Sequence, residues 1–531
     1  MQFFTRRPSV VARHGMVATS ETQAAMAGLR VLMEGGNAVD AAVATSSVLC
    51  VTEPMSTGIG GDMFALIWSA KDRKVYALNG SGAAGEAASL QQLKEEGLNE
   101  IPIESAYAVT VPGIVDGWHA ILKRHGSMSL SKLLRPAIDY ARDGFVVQGV
   151  ISRSWNANAA KLARYPSGSE LLLNGRAPRP GEVMRLPELA RTLKDISRGG
   201  PKAFYRGNTG RKIANYVQER GGWLDTSDLS SHRSTWDEPI STEYRGVTVW
   251  ECPPNGHGLA ALMALNIAEG FDIKGMGFQS VDTYHHLIES MRVAYTDALR
   301  YIADPAKVDV PVRQLLSKEY AAERRSLIRC EQILPHPSPG QVYAHANTAY
   351  LTVIDEKGNA CSFINSLYES FGTGLVVPGT GVVLHNRGSL FSLDPEHPNC
   401  LAPNKRPYHT IIPAMVTRND QVWLSFGVMG GFQQPQGHLQ VLANMVDFGL
   451  DPQQALDALR FSVVLDDGVA VEEELPASTM EELRRRGHTI IPVGNGNRGL
   501  FGGGQIIERD PESGVLRAGT EPRKDGSAIG W

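Results

Sequence analysis

The chain is poor in cysteine: Cys50, Cys252, Cys330, Cys361 and Cys400 are its only five in 531 residues. An odd, scattered set suits reduced thiols and excludes a disulfide frame or a thiolate zinc centre. Cys361, inside a β-branched run, reads as a small buried hydrophobe. No apolar run approaches the roughly 18 residues of a membrane span. The opening MQFFTRRPSVVARHG has arginines but no apolar stretch of signal length, which predicts a cytoplasmic protein without membrane attachment. Excess charge of either sign is missing too, with 52 Lys+Arg against 56 Asp+Glu and no like-charge blocks. A nucleic-acid footprint and a disordered charged tail are therefore excluded, leaving small molecules as the expected partners.

Familiar catalytic signatures are also missing. There is no phosphate-binding loop ending in Gly-Lys-Ser/Thr, and no Gly-x-Ser-x-Gly elbow. His285, His286 and Glu289 share one helical stretch but lack His-Glu-x-x-His spacing. A structural role is expected for them, and no metal or organic cofactor is expected in the protein.

What is present is 42% hydrophobic and 20% charged residues, an ordinary globular composition. The length alone would accommodate roughly three or four domains. The local texture instead suggests one domain of stacked helix and sheet layers. Apolar spacing predicts helices over Glu21–Gly35, Ala38–Leu49 and Val281–Ile302, the last stopped by Asp304-Pro305. Residues 130–230 read as mostly helical. Strands are predicted at Met63–Trp68 and Val75–Leu78 across a KDRK turn, with a further pair in Ala414–Val428. Residues 330–346 hold three prolines and no periodicity, and read as an exposed loop. Directly after it, Thr348–Ile354 and Ala360–Ile364 predict an antiparallel pair around a polar turn. A threonine at a strand start is ordinarily only a good strand former.

Seven collinear stretches change that reading: GGNAVDAAVA (Gly35–Ala44), EPMSTGIGG (Glu53–Gly61), VPGIVDGW (Val111–Trp118), the Thr348 strand start, FGTGLVVPGTGVVLHN (Phe371–Asn386), PNKRPYHTIIPAMV (Pro403–Val416) and VMGGFQQPQG (Val428–Gly437). Together they resemble the gamma-glutamyltranspeptidase family of N-terminal-nucleophile hydrolases, in order, from about Gly15 to Trp531. The resemblance implies a four-layer αββα sandwich. It implies self-cleavage between Asn347 and Thr348, giving a large fragment 1–347 and a small fragment 348–531 that associate, with higher oligomers open. Thr348 would be the nucleophile and Ser366 would bond its hydroxyl, at a position where the family usually has threonine. Gly430 and Gly431 would supply the oxyanion-binding amides.

The chemistry explains the residue type. A threonine hydroxyl needs a base within reach, and a freed α-amine, with a reference pKa of about 7.7–8.0, can act on the same residue. Before cleavage that nitrogen is a non-basic amide.

The glutamyl-binding set of the family is largely absent. Its arginine falls at Ser81, an asparagine at Tyr368, a glutamine at Arg387, an aspartate at Leu390 and a serine pair at His409-Thr410. Loss of the aspartate removes an ammonium counter-charge, while Arg387 keeps a cation suited to a carboxylate. The expected substrate is a small amide with a carboxylate and no ammonium, as in the family's oxamate amidohydrolase and acylase branches. A gamma-glutamyltransferase or glutathione hydrolase is the alternative enzyme. A non-processing binding protein of the same fold is the alternative from another class.

Overall fold

The computed structural model describes residues 7–335, 346–464, 468–494 and 496–531. Two seven-stranded sheets, antiparallel at every pairing, form the centre. The first runs in the order Ser527–Gly530, Met16–Thr19, Ala346–Ile354, Ala360–Glu369, Asp62–Ser69, Lys74–Gly80, Thr235–Asp237. The second runs Val10–Ala12, Leu516–Thr520, Gly503–Arg509, Gln421–Met429, Ala414–Arg418, Val247–Glu251, Ile240–Tyr244. Strands from before residue 335 and after residue 346 therefore lie side by side in both sheets.

The two-residue strand period sorts side chains between layers. In the first sheet Ala349, Leu351, Val353, Phe363, Ala65 and Ile67 pack outward against helices Thr22–Met33, Ala38–Thr52 and Ile114–His125. Tyr350, Ile354, Ile364, Phe64 and Leu66 point inward, meeting Met415, Met429 and Ile507 of the second sheet. The second sheet turns Val416, Leu424, Phe426 and Val428 outward onto helices Gly258–Ala268, Val281–Tyr301 and Gln433–Val446. Helix, sheet, sheet and helix stack as the αββα sandwich expected from the resemblance.

The helices begin where their sequences cap them. Asn37 and Asp40 make a reciprocal capping box at Ala38–Thr52, and the Ser280 hydroxyl accepts from Thr283 N–H at Val281–Tyr301. Ala38–Thr52 is buried along its whole length, as its small side chains permit. Among the described residues no helix is long and apolar enough to cross a membrane.

His285 bonds His488 (2.8 Å) and the Arg329 carbonyl (2.7 Å), while Glu289 pairs with Arg292 and accepts from Leu334 N–H. These contacts fit the structural role expected of that helix. No group of three metal-ligating side chains occurs among the described residues. Cys361 is buried, as expected. The chain is tied down as far as Ile333 and Leu334 through Arg486 and Glu289. Residues 336–345, most of the expected exposed loop, lie outside the described residues.

Candidate active site

Thr348 is the third residue of its strand, not the first: the strand begins at Ala346. Asn347 pairs with Tyr368 and Ala349 with Asn365, so two residues, Ser366 and Leu367, lie opposite Thr348. Such a bulge re-aims side chains. Thr348 is 1% exposed, and its Oγ1 lies 3.1 Å from Ser366 Oγ, which also accepts from Tyr368 N–H at 2.8 Å. Tyr368 has φ 73, a conformation that bulky L-residues adopt only when surrounding structure holds them. One strand further on, Ser366 pairs with Asp62. Thr348, Ser366 and Asp62 thus form a row across three adjacent strands, on the face toward the second sheet.

Contacts between the sheets place the glycines. Thr352 Oγ1 is 2.6 Å from Ser425 Oγ, and the Tyr350 ring lies where any Cβ on Gly427 would fall, 2.5 Å away. Continued by two residues on each strand, this correspondence points Thr348 toward Met429, the residue before Gly430. Gly430 (φ 133) and Gly431 (φ 58) make the turn into helix Gln433–Val446. Their carbonyls accept from Gln433 and Gln434 N–H at 3.0 and 3.1 Å. Neither glycine N–H has an acceptor among the described residues. Paired free amides at a helix N-terminus suit a developing oxyanion.

Arg387 is fully buried in a short 3-10 turn, Arg387–Leu390. Its guanidinium lies 4.5 Å from the Tyr368 ring centroid and donates from Nη1 to Thr410 Oγ1 at 2.6 Å. Nε and Nη2 have no partner among the described residues. Burial lowers its pKa to about 10, so it remains a cation at neutral pH.

Asp62, absent from the sequence-derived site, ties these parts together. Its Oδ1 accepts from Gly113 N–H (3.0 Å) and Gly82 N–H (3.3 Å), and its Oδ2 lies 3.1 Å from His409 Nε2. His409 Nδ1 accepts from Ile411 N–H, so Nε2 carries the proton and donates to Asp62. His385 is oriented in the same way, donating from Nε2 to the Thr110 carbonyl at 2.9 Å and accepting from Arg387 N–H at Nδ1. Burial, then the Arg387 charge, pushes both histidines down, His385 to about 3, and both are neutral. Burial raises Asp62 to about 7 against the opposing pull of Arg387. Glu369 is raised to about 7 by burial, against Lys161 and Arg387.

Ser81 makes its hydrogen bonds to groups other than Thr348 and Arg387. Its hydroxyl donates to Asn79 Oδ1 at 2.7 Å, and its carbonyl accepts from Arg406 Nε at 3.0 Å. It braces the loop whose next amide, Gly82 N–H, reaches Asp62. The structure therefore brings Thr348, Ser366, Tyr368, Arg387, His409 and Thr410 into one linked group and leaves Ser81 as support. Asp62, His385 and Glu369 were missed by sequence reasoning. A usable signal existed for Asp62: an acid on the inward parity of a strand whose next inward residues are Phe64 and Leu66.

The gamma-glutamyltranspeptidase family model matches residues 24–531. The chain is 38% identical over 529 residues to the glutathione hydrolase-like YwrD proenzyme of Bacillus subtilis (strain 168), covering 98% of this chain and 99% of that one. It is 35% identical over 538 residues to the acylase ACY 1 proenzyme of Pseudomonas sp. (strain V22), covering 99% and 94%. Among solved structures, cephalosporin acylase from Bacillus halodurans superposes with TM-score 0.94 at 46% identity, covering 100% and 98%.

Proposed function

The chain belongs to the gamma-glutamyltranspeptidase family, and from that premise we propose that it cuts itself between Asn347 and Thr348 and then acts as an N-terminal-threonine amidohydrolase on small carboxylate-bearing amides. The fragments would be 1–347 and 348–531. The proenzyme relatives support processing in general. The observation that carries the assignment is the buried Thr348–Ser366 hydroxyl pair, 3.1 Å apart at a bulged strand position.

In this reading the freed Thr348 amine takes the proton from Oγ1 as that oxygen attacks the substrate carbonyl carbon. The Ser366 hydroxyl stabilises the reacting oxygen by hydrogen bonding. The Gly430 and Gly431 amides hold the tetrahedral oxyanion, each such donor contributing roughly 2.7–4 kcal/mol. Collapse expels the amine with the transferred proton and leaves an acyl ester on Thr348. Water, deprotonated by the same amine, then attacks the ester carbonyl and releases the acid, regenerating the hydroxyl.

Arg387 decides the substrate. A fully buried guanidinium with two nitrogens, Nε and Nη2, open among the described residues is a costly feature unless an anion completes it. A substrate carboxylate does so, as in an oxamate-like compound or the monoamide of a dicarboxylic acid. The γ-glutamyl alternative keeps one observation in its favour: Asp62 and Glu369 are buried acids near that cation. Asp62, however, already accepts from two amides and His409.

The test is Edman sequencing of the smaller band from purified protein, followed by ammonia-release assays on oxamate and succinamate. A small fragment beginning Thr-Ala-Tyr-Leu, with turnover of an ammonium-free amide, is expected. An uncut chain, or another first residue, overturns the processing assignment.

A further inference from the structure

A cavity of about 880 Å³, lined by none of the residues placed in the catalytic group, opens between helix Ile114–His125, the Gly199–Pro201 turn and the Ser230–Trp236 segment. Its lining includes Lys123, Arg124, Lys202, Arg206 and Arg233, against a single acid, Asp116. Asp116 is 9% exposed, and one of its oxygens accepts from Ser234 N–H at 2.7 Å. It is committed to backbone.

None of the five cations forms an ion pair among the described residues. Arg206 and Arg233 both donate to the Ser230 carbonyl, at 3.3 and 3.1 Å, which holds two like charges side by side. Arg124 lies over both Tyr76 and Trp236, 4.5 and 4.4 Å from the ring centroids. Stacking fixes its plane and leaves its N–H edge for a planar oxyanion. The floor is rigid: the Tyr205 hydroxyl donates to the Pro112 carbonyl at 2.7 Å and accepts from Asp116 N–H at 3.2 Å. A concave, pre-formed site with several unpaired cations recognises separated negative groups on one small molecule.

We propose that this cavity binds a small polyanion, carrying at least two phosphate or carboxylate groups, at a site separate from the catalytic pocket. Arg206 and Arg233 share one anionic group, and Arg124, with Lys123 or Lys202, takes the second. A monoanion satisfies only one of these clusters.

Isothermal titration of the intact protein at fixed ionic strength tests this, with pyrophosphate, citrate and inorganic phosphate as probes. Saturable 1:1 binding of pyrophosphate or citrate, at least tenfold tighter than phosphate, is expected. Pyrophosphate alone identifies a phosphate-ester class, and citrate alone a polycarboxylate class. The double variant Lys202→Ala/Arg206→Ala, at two exposed positions, should bind at least tenfold more weakly while retaining the thermal unfolding midpoint. It leaves Arg387 intact, so undiminished binding in it assigns the ligand to the catalytic pocket and overturns the proposal. Absence of saturable heat up to millimolar polyanion, or phosphate binding as tightly as either polyanion, also overturns it.

Discussion

Two buried arginines show opposite ways of keeping a cation out of water. Arg523 donates from Nε to Glu472 at 2.9 Å, from Nη1 to Glu521 at 2.6 Å and to the Leu456 carbonyl, and from Nη2 to Glu472 and the Ala458 carbonyl. Burial pulls its pKa down, but the two glutamates outweigh burial and raise it. The Arg387 guanidinium, also buried, has one hydrogen bond among the described residues, to Thr410, and burial lowers its pKa to about 10. The first arginine is a finished structural joint. The second is held unfinished, and a group that stays charged while incompletely bonded is poised to receive an anion.

The contrast rests on chemistry happening at the Arg387 end, so Thr348→Ala is its severest test. That variant should remain a single band on a denaturing gel and lose at least about 10³-fold in turnover. Normal processing or retained activity would remove the catalytic half of the comparison.

The two arginines themselves should separate by what their removal costs. Arg523→Ala strands Glu472 and Glu521 and should destabilise the protein by about 3–5 kcal/mol in urea unfolding. Arg387→Ala should change stability by less than about 1 kcal/mol while raising KM for an ammonium-free amide at least tenfold. Equal loss of stability in both would make Arg387 structural.

Gly430→Val and Gly431→Val should each lower kcat at least tenfold with little change in KM, if their amides are the proposed oxyanion donors, used only in the transition state. An unchanged kcat in both would put the oxyanion donors elsewhere.

Specificity gives a milder effect. A carboxylate amide without an ammonium should exceed glutathione at least tenfold in kcat/KM, a difference of only about 1.4 kcal/mol. Glutathione outperforming every such amide would favour the γ-glutamyl reading.

The smallest effect expected is a pH step in substrate affinity. Below about 7 Asp62 and Glu369 are protonated, and Arg387 presents its full charge. As pH rises through 7 both acids ionise and compete with the substrate carboxylate, so KM should rise a few-fold. His385 and His409 are neutral throughout and do not contribute. Asp62→Asn should shrink the step and Asp62→Asn/Glu369→Gln should flatten it. A KM that falls across this range contradicts the assignment.

Much of this end of the molecule was legible before any coordinates. Alternation predicted the local hairpin that carries Thr348, and the family motifs singled out Thr348, Ser366 and the Gly430-Gly431 pair. The four layers followed from the family resemblance. What stayed hidden depends on distant pairing. Asp62 meets Ser366 only because two strands some 300 residues apart in sequence lie in register. Arg387 lies in a loop-like run with no periodicity, so nothing local says whether it faces solvent or interior. The left-handed Tyr368 is likewise a tertiary effect, since a bulky residue there is disfavoured by its own backbone.

The alternation of early and late strands within both sheets has a consequence for the life history of the molecule. Met16–Thr19 lies between Ser527–Gly530 and Ala346–Ile354, and the Thr348 row closes only after Asp62–Ser69 has joined Ala360–Glu369. A break between Asn347 and Thr348 would therefore be possible only in a chain that has already assembled, making activation a certificate of completed folding. It would also be irreversible in effect. The severed pieces would be woven through one another, and once melted would have to find each other as two molecules, whereas an uncut Thr348→Ala chain would refold as one. Heat-inactivated mature protein should stay inactive on cooling while the uncut variant regains its native circular dichroism. The enzyme would thus be armed once and, after unfolding, replaced rather than repaired.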